Sequence, residues 1–379
     1  MFSRFIEPSQ KVLKNLAFQT VQNFSRTLTT NNTYDAIVIG AGSIGLQQQW
    51  NSKKQDCVHL RFSQHGKKNT DLISNGKREA TCSQCIREVD EEALKSLIPY
   101  QRSFGMEIGF VDADRVKQLV PGINTDSLRG GIWSPNDGSA SPLLSALAFY
   151  RYAKELGADF HFKEEAQEIL KDSHGKVSGV KTEKSTFHAP IVIDAAGAYS
   201  TKLMKSLRLQ VPVTPDSHEA GITEPTEHFF SPMVVDMRPS TGSKNYYFYQ
   251  NSHGQIVFCI TPDPVIPGTD REETSVFLPQ VSKRMISILP RLQNVRVRRT
   301  WRGLYPMTPD GNPLLGWNRN LPGLFTATGM CGQGFMLGPG YAKTIRNSIT
   351  NNLDDNDKTI LKFVDPHRSF ADQKKEVFK

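Results

Sequence analysis

Apolar residues fall in short runs along this chain, and three of those runs lead into glycine. Tyr34-Asp35-Ala36-Ile37-Val38-Ile39 is a short apolar strand candidate that continues directly into Gly40-Ala41-Gly42-Ser43-Ile44-Gly45. A run of this kind suits a central parallel strand covered on both faces. Ile191-Val192-Ile193-Asp194, opened by Pro190, gives way to Ala195-Ala196-Gly197-Ala198, and Gly323-Leu324-Phe325-Thr326-Ala327-Thr328 again enters glycines. Open parallel sheets bind ligands at the carboxyl ends of their strands. The spacing therefore predicts a binding domain assembled from three separated pieces, with an inserted domain between them.

The remaining pattern fills in around these junctions. Asp90 to Leu97 begins a helix, with acids in its first turn and Lys95 later, the order that favours the helix dipole. Pro142 opens another through Leu143, Leu144, Leu147, Ala148, Tyr150, Tyr152 and Leu156, and Gly157 stops it. Residues 159–162 form a strand, and 177–181 with 186–188 a small hairpin. Residues 211–300 alternate short half-polar strands, notably 246–249 and 255–259, with Pro/Gly turns, as in a sheet with one solvated or ligand-facing side. A last helix is predicted from near Pro339 through Ala342, Ile345 and Ile349. The stretch 51–92 is polar and poorly periodic, and the tail from Asn351 is charged and weakly patterned.

Length and composition narrow the class. A chain of 379 residues exceeds what one hydrophobic core usually serves, and 38% hydrophobic with 22% charged residues is ordinary for a globular protein. The net charge of +8 raises the question of nucleic acid, but the basic residues are scattered, and only Arg296-Val297-Arg298-Arg299 forms a tight cluster. A nucleic-acid partner would require a basic patch with interleaved aromatics. No stretch approaches the roughly 20 apolar residues of a membrane-crossing helix. Cys57, Cys82, Cys85, Cys259 and Cys331 are an odd set with no disulfide framework, and Cys82-Ser83-Gln84-Cys85 has no second pair to complete a zinc site. Residues 1–33 hold Arg4, Lys11, Lys14 and Arg26 against the single acid Glu7, with Phe2, Phe5, Leu13, Leu16, Phe18, Val21 and Phe24 interleaved. This is the composition of a presequence for the mitochondrial matrix; the alternative is a structural N-terminal helix on a cytoplasmic protein.

Two glycine-rich signatures carry the chemistry. Gly40, Gly42 and Gly45 have full G-x-G-x-x-G spacing: a tight turn, room for a pyrophosphate, and close packing of helix on strand. Its follow-up is poor. The next residues, Leu46-Gln47-Gln48-Gln49-Trp50-Asn51-Ser52, offer little to pack on a sheet, and Val58-His59-Leu60-Arg61-Phe62 lacks the acid expected at the end of a second strand. Arg61 instead suits a ribose phosphate, or the solvent. The second signature is Gly329-Met330-Cys331-Gly332-Gln333-Gly334-Phe335-Met336-Leu337-Gly338-Pro339-Gly340. Such a loop passes its backbone across a flat ligand where side chains would collide, and its amides can stabilise negative charge.

These residues resemble the D-amino-acid oxidase-like FAD-dependent oxidoreductases, the group of glycine, sarcosine, dimethylglycine and proline oxidases and dehydrogenases. The resemblance spans about 34 to 350. It rests also on Gly130-Gly131 with Asp137-Gly138, on Val192-Ile193-Asp194-Ala195-Ala196-Gly197-Ala198-Tyr199-Ser200, on Trp301-Arg302-Gly303-Leu304-Tyr305-Pro306-Met307-Thr308-Pro309-Asp310-Gly311, and on Pro322-Gly323-Leu324-Phe325. It implies an α/β fold: a Rossmann-like FAD-binding domain from residues 34–66, 136–205 and 306–350, and an inserted α+β substrate domain, mostly antiparallel, from 67–135 and 206–305. Residues 351–379 are left as a tail. It further implies non-covalent FAD held by Gly40, Gly42 and Gly45, by Ala195 and Gly197, and by Gly329, Gly332, Gly334, Phe335 and Met336, with no metal. The implied reaction is oxidation of a C–N bond in an amino acid or N-methylated amino acid by hydride transfer to flavin N5. A pseudoenzyme with impaired FAD binding and a 2-hydroxy-acid dehydrogenase are the alternatives.

Several family positions differ. Tyr305 stands where glycine and D-amino-acid oxidases carry a carboxylate-clamping arginine, Gly303 where monomeric sarcosine oxidases carry the flavin-linking cysteine, and Gln333 where histidine is frequent. Tyr305, Tyr247, Tyr249 and Arg302 are the candidate substrate contacts, with Arg299 and His253 as further sites for an anion. The partners implied are a small amine or amino acid and an electron-acceptor protein; the oligomeric state is left open.

Overall fold

Two eight-stranded sheets organise the chain. The computed structural model describes residues 32–40, 56–60, 77–78, 81–85, 88–238 and 240–370. β1 (Ala36–Ile39) and β2 (Asp56–Leu60) open the first sheet. β3 (Lys77–Arg78), β4 (Thr81–Cys85), α1 (Glu88–Ser103), β5 (Gly109–Asp112), α2 (Ala113–Leu119), β6 (Gly130–Ser134) and β7 (Gly138–Ser139) follow. The chain returns to the first sheet through α3 (Pro142–Glu155), β8 (Ala158–Lys171), β9 (Val177–Thr182), β10 (Thr186–His188), β11 (Val192–Asp194) and α4 (Ser200–Lys205). The second sheet takes β12 (Thr214–Thr223), β13 (Met233–Asp236), β14 (Ser243–Gln250), β15 (Ile256–Pro262), α5 (Phe277–Ile288) and β16 (Val297–Met307). Finally β17 (Leu314–Trp317), β18 (Leu324–Thr328), α6 (Gly334–Ile349) and α7 (Asp355–Phe363) close the first.

The first sheet has the order β10-β9-β8-β2-β1-β11-β18-β17. At its centre β1, β11 and β18 run parallel, with Ile39 level with Asp194 and Asp194 level with Thr326. Their carboxyl ends therefore share one edge, and the three glycine junctions meet there. These strands read as unbroken apolar runs because both faces are covered. Ile37, Ile39, Val192 and Leu324 join a core with Val180, Phe187 and Met204. Ile193, Phe325 and Ala327 pack on the other side against Ile345 of α6 and Val364.

The second sheet, β16-β12-β15-β14-β13-β4-β6-β5, is antiparallel except where β13 runs parallel to β4. Its strands alternate. Val234, Tyr246, Phe248, Ile256, Phe258 and Ile260 face a core capped by Phe277, Val281, Met285 and Ile288 of α5. Period-two geometry turns Tyr247 and Tyr249 to the opposite face. Together the sheets form a discontinuous Rossmann-like α/β domain with an inserted region of mixed, mostly antiparallel sheet, as expected.

Three features depart from the sequence-based reading. β2 pairs antiparallel with β1, so the segment expected as a parallel second strand runs the other way and places Cys57 level with Ile39. A parallel partner needs a crossover helix able to cover the sheet, and residues 46–52 offer Leu46 and Trp50 among polar side chains. The helix predicted from Pro339 starts five residues earlier, at Gly334. Pro339 is tolerated inside it because the bond it forfeits is to the carbonyl of Phe335, in the solvent-facing first turn. Of the weakly patterned tail, residues 351–370 are described, and they pack on the first sheet through Ile360, Leu361, Val364 and Phe370. Asp354 and Asp357 form a capping box that starts α7, buried Val364 joins the core, and its carbonyl accepts from Leu315 N.

Candidate active site

Gly40 ends β1 with φ +108°, and a Cβ there would lie 2.3 Å from the carbonyl oxygen of Ala195. Only glycine allows this closure of strand on strand. Gly42 and Gly45 lie outside the described residues. Ala195 is buried just beyond β11, its amide donating to the Ile39 carbonyl at 2.9 Å. Gly197 (φ +56°) turns the chain into a short 3₁₀ helix, with open space where its Cβ would be.

The middle and third junctions are stitched together. Buried Asp194 Oδ1 accepts from Ala196 N at 3.1 Å and from Ser200 Oγ at 2.9 Å. Ser200 Oγ also lies 2.8 Å from Thr328 Oγ1, which donates to the Gly197 carbonyl at 3.1 Å. Asp194 Oδ2 and Thr326 Oγ1 are buried with no hydrogen-bond partner. Burial pushes the Asp194 carboxyl up to about 6, against the opposing bonds from Ala196 and Ser200.

The third junction leans on side chains. Gly329 (φ +68°) would place a Cβ 2.5 Å from Thr308 Cγ2. Gly332 lies flat on Tyr305, whose Cε1 would be 2.7 Å from an added Cβ. Cys331 N donates to the Pro306 carbonyl at 3.2 Å, tying the loop to the end of β16. Gly334 is buried at the start of α6, while Phe335 and Met336 are exposed beside it, Met336 at 72%.

Tyr305 links this loop to the second sheet. Its ring stacks on His218, centroids 3.9 Å apart and planes at 23°. His218 Nε2 is 3.0 Å from Asp216 Oδ2, and both residues are buried. Strand register explains the set. Asp216 pairs with Tyr305 and His218 with Gly303 across β12 and β16, Ala220 with Cys259, and Cys259 with Tyr247. Directly paired residues share a face. Tyr247 hydrogen-bonds to both Tyr305 and Cys259, and Tyr249 lies two residues on, level with Val257.

The charge state of this face follows from its burial. Burial raises Tyr305, helped by the nearby Cys259, while the Tyr247 bond opposes the shift. Tyr247 is raised well above the usual phenol value by Cys259 and by burial. Cys259 is pushed up to about 11 by burial despite its bond from Tyr247. All three stay protonated at neutral pH. For Asp216 burial acts upward, but the His218 bond and the Ile266 amide, 2.9 Å away, outweigh it and hold the carboxyl below its usual value. The face is therefore a set of neutral donors around one ionised carboxylate that orients an imidazole.

Arg302 is not among them. One residue from Gly303 on β16, it lies opposite Glu219 and points to the other face, where Nη1 bonds Asp270 Oδ2 at 3.1 Å and the Glu272 carbonyl at 2.9 Å. Arg299 and His253 are also remote from Tyr305: Arg299 is an exposed residue of the same edge strand, and His253 sits in the exposed turn between β14 and β15. His218, Asp216 and Cys259 escaped the sequence reading. Asp-x-His on a strand was the available signal, since period two puts the carboxylate and the imidazole on one face. Among the described residues no group of His, Cys, Asp and Glu could hold a metal ion, and no helix is long and apolar enough to cross a membrane.

The residues present fit FAD. Gly40 closes on the Ala195 backbone, Gly197 leaves open space, and Gly329 and Gly332 lie against Thr308 and Tyr305 with no side chain of their own. Gly303, with no atom within 4 Å of an added Cβ, leaves room and supplies no sulfur for covalent attachment.

Comparison with known proteins agrees. The model of the family "FAD dependent oxidoreductase" (DAO) matches residues 49–347. A D-amino acid dehydrogenase of Vibrio atlanticus is 25% identical over 80% of this chain and 70% of its own length. A glycine oxidase of Geobacillus kaustophilus is 26% identical over 67% of this chain and 65% of its own, and a mitochondrial sarcosine dehydrogenase of Mus musculus 23% identical over 73% and 31%. The chain thus spans about two thirds of the length of the first two and under a third of the last. Among solved structures, L-proline dehydrogenase from P. horikoshii superposes with a TM-score of 0.73 at 27% identity, covering 80% of each chain. Glycine oxidase from Geobacillus kaustophilus superposes with a TM-score of 0.69 at 22% identity, covering 78% of this chain and 76% of its own. The match over residues 49–347 and the shared architecture establish that this chain belongs to the DAO family of FAD-dependent oxidoreductases.

Proposed function

We propose that this chain oxidises the C–N bond of a small amino acid, including N-methylated and cyclic secondary amino acids. The named activities of its relatives, on D-amino acids, glycine, sarcosine and proline, support that substrate class. The observation that carries the reading is the Asp216–His218–Tyr305 stack laid against Gly332. Bound FAD supplies the hydride acceptor. Ionised Asp216 accepts from Nε2 of His218 and so leaves Nδ1 with the lone pair. That nitrogen takes the ammonium proton, freeing the amine lone pair before hydride leaves the neighbouring carbon. Tyr305, protonated and accepting from the Tyr247 hydroxyl, donates to the substrate carboxylate in place of an arginine. Arg302 has no part, because it faces away.

An anaerobic substrate panel tests this. Mixing the FAD-loaded protein with glycine, sarcosine, proline, a D-amino acid and a 2-hydroxy acid should bleach the flavin band near ~450 nm with at least one amine, and not with the hydroxy acid. Bleaching by the hydroxy acid alone would sink the C–N reading. The dehydrogenase names among the relatives support an electron-acceptor protein as oxidant. It follows that reoxidation by an artificial dye should outpace reoxidation by oxygen. The basic leader and the mitochondrial sarcosine dehydrogenases support a mitochondrial location, which import of a reporter fused to residues 1–33 would check.

A further inference from the structure

Arg368 lies beyond every motif of the site, in the segment that reads from sequence as a tail, and it is one of the most completely bonded side chains described. Nε donates to Asp310 Oδ2 and Nη2 to Asp310 Oδ1, both at 2.9 Å. Nη1 donates to the carbonyls of Pro313 at 2.8 Å and Asp365 at 3.1 Å, and Nη2 also to that of Asn312 at 2.9 Å. All five guanidinium N–H groups are thus used. The Arg368 side chain is 5% exposed and that of Asp310 1%. The guanidinium also stacks 4.8 Å from the ring of Phe370, which packs on the core of the first sheet.

Asp310 transmits this anchor. Its Oδ1 accepts from Asn312 N at 3.1 Å and lies 3.2 Å from Thr308 Oγ1. Thr308 in turn faces the glycine loop: its hydroxyl is 3.6 Å from Cys331 Sγ, and its methyl fills the space where Gly329 would carry a Cβ. Tyr305, pressed on Gly332, is three residues upstream of Thr308 on the same segment. One buried ion pair therefore holds the turn on which both the loop and Tyr305 rest.

We propose that Arg368 is a positioning residue for the cofactor site, acting through Asp310 and Thr308 to set the 329–334 loop against Tyr305. The C-terminal segment is then part of the FAD site and not an appendage. This rests on the loop being a flavin contact, as the family reading has it. A pair that merely stabilised the fold would lower the melting temperature and leave the affinity of the folded protein for FAD unchanged.

The test titrates FAD into full-length apoprotein, following quenching of flavin fluorescence, alongside apoprotein melting. Arg368→Met strands a buried carboxylate and Thr308→Val cuts the link while leaving the ion pair intact. Both should weaken FAD binding by about tenfold, the scale of a loosened supporting contact. Arg368→Lys, which keeps the charge but loses the fork, should fall between. Thr308→Val should melt within a few degrees of wild type. Wild-type affinity in Thr308→Val overturns the proposal, and that variant decides the matter if Arg368→Met does not fold. If the wild type itself takes up no FAD, the cofactor reading falls and this proposal falls with it.

Discussion

The first and third glycine junctions end neighbouring parts of the same parallel sheet, yet they are closed by different means. Gly40 closes backbone on backbone, against the carbonyl of Ala195. The loop from Gly329 closes backbone on side chains: Thr308 beneath Gly329, Tyr305 beneath Gly332, and the Asp310–Arg368 pair behind both. Backbone closure is unforgiving but carries no information about a substrate. Side-chain closure can be varied residue by residue, and here the loop is coupled to the Asp216–His218 pair. In the proposed function the first junction would hold the cofactor at this edge, and the third would set what reacts beside it.

Gly40→Ala should break the first junction outright. The new Cβ would sit 2.3 Å from a carbonyl oxygen at φ +108°, so strain and overlap add. Together they should cost about 3–5 kcal/mol, enough to unfold a marginal domain or to part β1 from β11. Urea denaturation of the apoprotein measures it. A loss below about 1 kcal/mol would show that the backbone there yields easily and that the contrast between the junctions is false.

Asp194 sharpens the comparison, because the middle junction is bonded through Ser200 to the third and touches the first by a backbone bond only. Its carboxyl, raised from 3.8 to about 6, binds its proton more tightly folded than unfolded. Stability therefore falls as pH rises from about 4 to about 6, and the penalty is fully present above that window. Asp194→Asn removes it and supplies an N–H where Oδ2 and Thr326 Oγ1 lack partners. The variant should be more stable than wild type by up to about 3 kcal/mol at pH 8, with the gain vanishing below pH 4. Asp310 has the opposite sign. Although burial acts upward, Arg368 holds its carboxyl below the usual value, so its contribution is present at neutral pH and lost in acid. Melting curves from about pH 2 to about pH 8 separate the two, because Asp194 acts between about pH 4 and about pH 6 and Asp310 only below about pH 4. An Asp194→Asn gain that does not change with pH would show that the buried charge is not its source.

What was legible in the sequence follows the same division. Parallel strands covered on both faces announce themselves as apolar runs, so β1, β11 and β18 and their glycine ends could be placed without coordinates. The hairpin of β9 and β10 and the helix from Pro142 were equally plain. The site face was only half legible. Tyr247, Tyr249 and Tyr305 stood out as aromatics on strands, but Arg302 was grouped with Tyr305 although three residues of strand put them on opposite faces. His218 and Asp216 are only two residues apart in sequence and were overlooked, since their meaning depends on β12 lying beside β16. Arg368 is 58 residues from Asp310, and only the packing of α7 on the first sheet brings them together.

The smallest effect tests the third junction from inside. Gly303 pairs with His218 on the site face, has no unusual φ, and leaves open space where a Cβ would be. Glycine within a strand costs stability, so Gly303→Ala should leave the apoprotein unchanged or firmer by about 0.5 kcal/mol. If that space is where cofactor and substrate meet, one methyl group should raise KM or weaken FAD binding several-fold without any loss of melting temperature. The dissociation of binding from stability is the informative outcome, because Gly40→Ala should lower both. Should Gly303→Ala bind FAD and turn over as wild type does, the open space belongs to neither ligand. The reacting centre would then have to lie farther from His218 than the stack on Tyr305 implies.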